Sequence, residues 1–160
     1  MSVETAFKPA HENYQRVVRA SFAKQGMLGG MGAWLVDVQP GHVIIELPFS
    51  TRVAQQQGLF HGAAIGAIGD SAGGYAALTL MPEGSEIVSI EYKINFVRPA
   101  NGRLLRAEGQ VLRAGKSVSV SRVDVFAADH DKPELIAVLQ ATFMRVGVPQ
   151  ISTGQALTHS

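Results

Sequence analysis

The residues of this 160-residue chain with the clearest chemical potential lie between His61 and Gly74, in the stretch HGAAIGAIGDSAGG. Within it, Gly69-Asp70-Ser71-Ala72-Gly73 fits the G-x-S-x-G pattern of a nucleophile elbow, which would make Ser71 an attacking hydroxyl on a strand-to-helix turn. The same letters also read as one buried helix, and the reactive group is then Asp70. It is the only carboxylate between Glu46 and Glu83, set inside an apolar segment although aspartate is a mediocre helix former. A structural aspartate, paired with an arginine or capping a neighbouring helix, is the other account of it.

An elbow needs a strand before it, a helix after it, and an acid and a histidine further along the chain. AAIGAIG can pass as the strand and GGYAALTL as the helix, and the hormone-sensitive-lipase-like esterases carry a similar GDSAGG. The context disagrees, because about 85 residues of antiparallel-looking strand follow with no second β-α unit. The histidines downstream are His130, in a polar turn, and His159, in the tail. A likeness to the trypsin-type GDSGG fails too, since its histidine and aspartate belong upstream of the serine in a long double-barrel chain. Ser71 is then a small residue that lets the helix pack.

The elements that must position Asp70 follow from periodicity. Tyr14, Val17, Val18, Ser21 and Phe22 recur at helical spacing between Pro9 and Gly26, with Arg16, Arg19 and Lys24 facing away. Residues 26 to 32, GMLGGMG, read as a glycine-rich connector; no strand precedes them and their spacing does not fit a dinucleotide fingerprint. Ala33 to Gln39 and His42 to Pro48 read as a hairpin turning at Pro40-Gly41. A polar link, STRVAQQQG, leads to the helical stretch, which runs on to Met81 and Pro82.

Beyond Gly84 everything reads as antiparallel sheet. Val88, Ile90, Tyr92, Ile94 and Phe96 alternate with Ser89, Glu91, Lys93 and Asn95, the period of a half-buried strand that places Ser89 on its polar face. Arg103 to Arg113 reads as the next strand, and Ala114-Gly115-Lys116 as a turn into another. In that one the apolar phase slips from Val118 and Val120 to Val123 and Val125, which predicts a β-bulge near Ser121. Leu135 to Val146 follows the turn DHDK. The expected organisation is an N-terminal helix over 1–26, one domain over 27–146 and a flexible polar tail over 147–160, α+β in class.

Composition narrows the function classes. Apolar residues make up 46% and charged residues 17%, as in a globular protein with a generous core. A formal charge of +1 gives no concentrated basic surface, so nucleic acid is not an expected partner. No apolar run approaches the ~20 residues of a membrane span, and no signal peptide is expected from MSVETAFKPAHENYQ. With no cysteine, thiolate catalysis, disulfides and cysteine-ligated zinc are excluded, and a cytoplasmic location is expected. The histidines at 11, 42, 61, 130 and 159 have no ligand spacing, so no metal is expected.

Interior glycines at 66, 69, 73 and 74 each disfavour a helix by roughly 1 kcal/mol. Such a helix becomes reasonable when a curved sheet wraps closely around it, which is the hotdog architecture. The segments QQQGLFHGAAIGAIGDSAGG, SIEYKINFVRPANG and RAGKSVSVSRVDVF together resemble the hotdog-fold acyl-CoA thioesterases of the phenylacetate-pathway type and one class of 4-hydroxybenzoyl-CoA thioesterases. The resemblance spans roughly residues 30 to 146.

Thioester hydrolysis needs donors for a developing oxyanion and a group that attacks the carbonyl or activates water. Gly62 opens the helix, so its N–H is the candidate oxyanion donor. The resemblance implies Asp70 as nucleophile or general base, Gln55 as the residue positioning the thioester or water, Ser89 as the residue orienting water, and His61 as support for the loop. Bland readings stand beside these: a solvated loop glutamine, a serine on a polar strand face, a capping histidine. Where some relatives carry glutamate this chain has Asp70, and where some aryl-CoA members carry threonine it has Gly74.

Eight residues of helix separate Gly62 from Asp70 by ~12 Å, too far to touch one carbonyl. A homodimer sharing composite sites is therefore expected, with a tetramer compatible. Coenzyme A would enter as part of the substrate, with no separate cofactor. Arg98, and Arg113, Gly115, Lys116 and Ser117 around the turn, match the family's nucleotide-binding loops. The alternatives are a hotdog protein that binds acyl-CoA without hydrolysing it, as a sensor or carrier, and after it a serine esterase using Ser71. A hotdog hydratase is disfavoured, since its Asp/His pair on one loop is not evident.

Overall fold

The computed structural model describes residues 7–128 and 132–147. The expected turn at Asp129 to Asp131, the tail beyond 147, His130 and His159 lie outside these residues. Tyr14, Val18 and Phe22 form the apolar stripe of helix α1 (Tyr14–Phe22); Val18 is fully buried while the Arg16 side chain stays in solvent. The segment expected to be a connector is instead a short helix, α2 (Gly26–Met31). Two features hold it despite its glycines. Leu28 is buried, and the chain leaves through Gly32 at φ +84, with N–H bonds from Gly32 to Gly29 O and from Ala33 to Leu28 O.

Strands β1 (Trp34–Gln39) and β2 (His42–Pro48) pair as the expected hairpin, with Pro40 and Gly41 as its turn and Gly41 at φ +72. A 3-10 turn (Thr51–Val53) leads to the long helix α3 (Gly62–Leu78). Strands β3 (Glu86–Phe96), β4 (Leu104–Ala114), β5 (Val118–Ala127) and β6 (Glu134–Val146) complete one antiparallel sheet in the order β1-β2-β4-β5-β6-β3. One helix touching five of the strands, β2 through β6, requires the sheet to curl around it, which is the hotdog arrangement. No helix among the described residues is long and apolar enough to cross a membrane.

Close approach explains the small residues of α3. The backbone of Ala72 and Gly73 lies against β4 at Gly109, where an added Cβ would stand 2.4 Å from the Ala72 carbonyl. From β5, Ser121 Oγ donates to the Gly73 carbonyl at 3.0 Å. At Gly109 and Ser121 the helix therefore rests on backbone and small side chains, while Ile65, Ile68, Tyr75 and Leu78 carry it into the apolar core.

Two strand expectations need correcting. β5 keeps a strict period of two, with Ser119, Ser121, Val123, Val125 and Ala127 all buried toward the helix. The apparent slip arises because serines occupy inward positions where space is short, while Val118 and Val120 face outward. The bulge lies across the ladder, at Leu112 of β4, where pairing jumps from Val111↔Ser121 to Arg113↔Val120. In β3 the register against β6 likewise shifts between Ser89 and Glu91, leaving Ile90 as the extra residue. β3 is also an edge strand, largely exposed rather than half-buried.

Candidate functional site

Helix α3 runs beside β3 so that Gly62 lies near Phe96, Gly66 near Tyr92 and Asp70 near Ser89. The bulge at Ile90 creates the last contact. Strict alternation would put Ser89 and Tyr92 on opposite faces, but the extra residue turns both toward α3. Ser89 is therefore not on the polar outer face that its spacing predicted. Its Oγ donates to Asp70 Oδ1 at 2.7 Å.

Asp70 sits on the least covered stripe of α3, with Ala63, Ala67 and Ser71. Partial burial pushes its carboxyl above the ordinary carboxylate range, and the Ser89 hydrogen bond, which favours the ionised form, offsets part of that rise. Asp70 and Ser89 open onto a cavity of about 160 Å³, walled by Ser71, Gly74 and Tyr75 of α3, Ile87 of β3 and Phe143 of β6. Ser71 is the tenth residue of a continuous helix, so no strand-to-helix elbow presents it. That geometry removes the nucleophile-elbow reading.

Gly62 and Gln55 belong to a different cavity, of about 270 Å³, which they share with Leu59, Phe60, Phe96 and Arg98. The loop before α3 is pinned by His61 N–H to Val53 O at 2.7 Å and by Phe60 N–H to Ala100 O at 3.2 Å. His61 is the helix N-cap: its Nδ1 accepts from the Ala63 N–H at 2.9 Å. The Gly62 N–H finds no acceptor among the described residues, as befits the first residue of a helix. Gln55 is half-buried against this cavity whereas Gln56 and Gln57 are exposed, which singles it out from its neighbours. Its carboxamide is turned onto Gln57, accepting from the Gln57 N–H and donating to Gln57 Oε1 at 3.1 Å.

The expected cations separate into two groups. Arg98 borders the Gly62 cavity, donating to Leu135 O at 2.9 Å and pairing with Glu134 at 3.2 Å. Arg113, Gly115, Lys116 and Ser117 are exposed at the β4-β5 turn, the opposite end of the sheet, more than ~20 Å away by strand rise. Gly115 is explained by the turn itself, because a Cβ there would stand 2.3 Å from Val118 O. Among the described residues no group of three or more His, Asp or Glu is placed to hold a metal ion.

The sequence reading missed the polar back of the Asp70 cavity. Tyr75, a buried residue of α3, receives a 3.1 Å hydrogen bond from Gln25 Nε2 and lies 3.3 Å from Ser21 Oγ. The available signal was Ser21 itself, a polar residue within the apolar stripe of α1.

A family model described as thioesterase superfamily matches residues 57–134. The crystal structure of a thioesterase family protein from Silicibacter pomeroyi superposes with a TM-score of 0.81 at 32% identity, covering 84% of this chain and 98% of that one. The proofreading thioesterase EntH of Klebsiella pneumoniae is 28% identical over 90 residues, 56% of this chain and 66% of its own. The PaaI protein from the phenylacetic acid degradation operon of E. coli shares the fold, with a TM-score of 0.75 at 19% identity over 88% of this chain and 97% of that one.

Proposed function

The chain belongs to the thioesterase superfamily, and we propose that it hydrolyses acyl-CoA thioesters, aryl-CoA among them, with Asp70 as the reacting carboxylate. The observation that carries this reading is the Asp70–Ser89 pair at the mouth of a cavity on the least covered stripe of α3. With its Oγ proton committed to Asp70, Ser89 keeps lone pairs that can accept from a water. In the step proposed, Asp70 takes one proton of that water, the oxygen bonds to the thioester carbonyl carbon, and the C–S bond breaks as the sulfur leaves with the proton that Asp70 gives back. The Gly62 N–H, with its helix-terminal dipole, is the oxyanion donor.

Gly62 and Asp70 of one chain serve different cavities, so the proposed working unit is a twofold homodimer. The support is β3: an eleven-residue edge strand with Val88, Ile90 and Phe96 about half exposed, a surface that natural edges seldom leave unpaired. Twofold pairing of two such edges runs them antiparallel, bringing the Ser89 end of one beside the Phe96 end of the other. Asp70 would then face the Gly62 cavity of the second chain. The Lys116 turn would likewise approach the second chain's Arg98, so that both cation groups border one CoA path.

The test is purified protein with a panel of aryl- and alkyl-CoA esters, following free thiol, beside Asp70→Asn and Ser71→Ala. Asp70→Asn should lose turnover by about 10²- to 10⁴-fold while Ser71→Ala keeps most of it. The reverse pattern overturns the reading; CoA-ester binding without turnover points to a sensor or carrier. Single turnover in oxygen-labelled water tests for an Asp70 anhydride, since label enters the protein only when water opens that anhydride at the Asp70 carbonyl.

A further inference from the structure

The edge strand β3 carries a charge pattern, Glu91-Tyr92-Lys93, that its contacts within one chain use only in part. Glu91 and Lys93 are exposed on the outer face of the sheet. Thr142 Oγ1 steadies Glu91 by donating to it at 2.6 Å, while Lys93 has no hydrogen bond or ion pair among the described residues. Tyr92, between them, faces inward, its hydroxyl 2.9 Å from where a Cβ on Gly66 would stand. We propose that this triplet sets the register in which two copies of the chain pair. The twofold axis passes through Tyr92, with Glu91 opposite the partner's Lys93 and Lys93 opposite the partner's Glu91. This rests on the composite-site reading, and says how Asp70 of one chain is brought level with Gly62 of the other.

Two constraints limit the registers open to a pair of β3 edges. Residues directly opposite each other in an antiparallel pair share a face. A composite site needs both α3 helices on one side, so the inward residues Tyr92, Ile94 and Phe96 must oppose one another. The backbone imposes the same parity. Val97 N–H donates to Ile136 O at 2.9 Å, so by the alternation of the ladder Glu91, Lys93 and Asn95 turn their N–H and C=O toward β6. Tyr92, Ile94 and Phe96 turn theirs to the open edge, where a second β3 can bond them. Register can therefore change only in steps of two residues.

Charge then chooses among the registers that remain. An axis through Tyr92 gives two ion pairs on the outer face, both at non-hydrogen-bonded positions, where side chains come closest. An axis one residue further on sets Lys93 against the partner's Lys93, and one residue earlier sets Glu91 against the partner's Glu91, both unfavourable. With the axis at Ile94, neither charge meets an opposite one. Each alternative slides one edge along the other by at least two residues, ~7 Å, enough to take Asp70 out of line with the partner's Gly62. At the axis itself the two Tyr92 rings stand directly opposite as an aromatic cross-strand pair, and Gly66 leaves each of them room.

The chain has no cysteine, so single cysteines read the register directly. Under mild oxidation Tyr92→Cys should give a disulfide-linked dimer, its two Cα atoms about 5.5 Å apart and within disulfide reach. Glu91→Cys and Lys93→Cys, each diagonal to its own copy at about 7–8 Å, should not. A link at position 91 or 93 in place of 92, or at none of the three, overturns the proposal. Charge reversal tests it without cysteine. By sedimentation, Glu91→Lys and Lys93→Glu should each raise the dimer dissociation constant by about 10- to 100-fold, and the two together should restore it. Single reversals without effect, or a double variant no better than either, overturn it, as does a wild-type chain that stays monomeric and so leaves the edge to a different partner. Turnover separates this from the thioesterase reading: a link at 92 in a protein without turnover sustains the register while that reading fails. Activity lost on oxidation of Tyr92→Cys and regained on reduction shows that the linked register is not the working one, and overturns the proposal.

Discussion

Ser89 Oγ reaches Asp70 Oδ1 at 2.7 Å from a strand on which alternation alone would point it the other way. The extra residue at Ile90 is what couples them. The site is thus assembled by a local defect in an otherwise regular ladder, a common place for a β-bulge to re-aim a side chain.

The pH dependence of turnover follows from this pair. Burial raises the Asp70 carboxyl and the Ser89 bond lowers it, so the acid limb of kcat/KM should sit above the ordinary carboxylate range. Ser89→Ala removes the lowering influence and should move that limb further toward neutrality, with kcat/KM at neutral pH down roughly 3- to 10-fold. A pH–rate profile of the two proteins reads this directly; a limb that moves to lower pH contradicts it.

The same shift has a consequence for stability. A carboxyl whose pKa is raised on folding supports the fold below its unfolded pKa, and that support is lost as pH rises through the folded pKa. Asp70→Asn should therefore unfold at a higher urea concentration than wild type at neutral pH, with the advantage shrinking as the solution is acidified. Urea titrations at several pH values test it, and an Asn variant less stable at neutrality would count against the assignment.

His61 caps α3 through Nδ1. His61→Ala should cost about 1 kcal/mol of stability, and His61→Asn, which restores a capping acceptor, should recover most of it. If turnover tracks the cap, the Asn variant regains both stability and activity. Stability regained without activity would give the imidazole a part in the chemistry itself.

Gly109→Ala should be among the most damaging single-methyl additions to this chain, because the new carbon would meet helix backbone at 2.4 Å. Gly69→Ala should be milder: its obstacle, at 2.7 Å, is the end of the Leu139 side chain, which can rotate. Thermal melts should rank the two in that order, with Gly109→Ala down by more than about 3 kcal/mol.

Much of this arrangement was legible in the letters. Small residues from Gly62 onward announced a helix in close quarters, and the alternation in 88–96 announced a strand. The eight-residue gap between Gly62 and Asp70 already implied separate cavities, which the described residues have. What escaped was anything set by register. One unpaired residue at Ile90 reverses the facing of Ser89, and nothing in SIEY marks which residue will be left out of the ladder. Ser119 and Ser121 misled for a related reason, since polar letters at inward positions mimic a change of phase when the true constraint is lack of room. The Schellman ending of GMLGGMG was hidden by composition, because glycine supplies both the penalty within a helix and the left-handed residue that closes it.

The sparse side chains of α3 also bear on how the chain is made. A helix with four interior glycines has little tendency to form alone, and its support arrives late. Of the strands that cover it only β2 precedes it, while β3, β4, β5 and β6 are all still to come when it leaves the ribosome. Until β6 is complete the nascent protein carries an apolar segment only partly covered, so the interval of synthesis from residue 79 to residue 146 is its period of greatest exposure to misassociation.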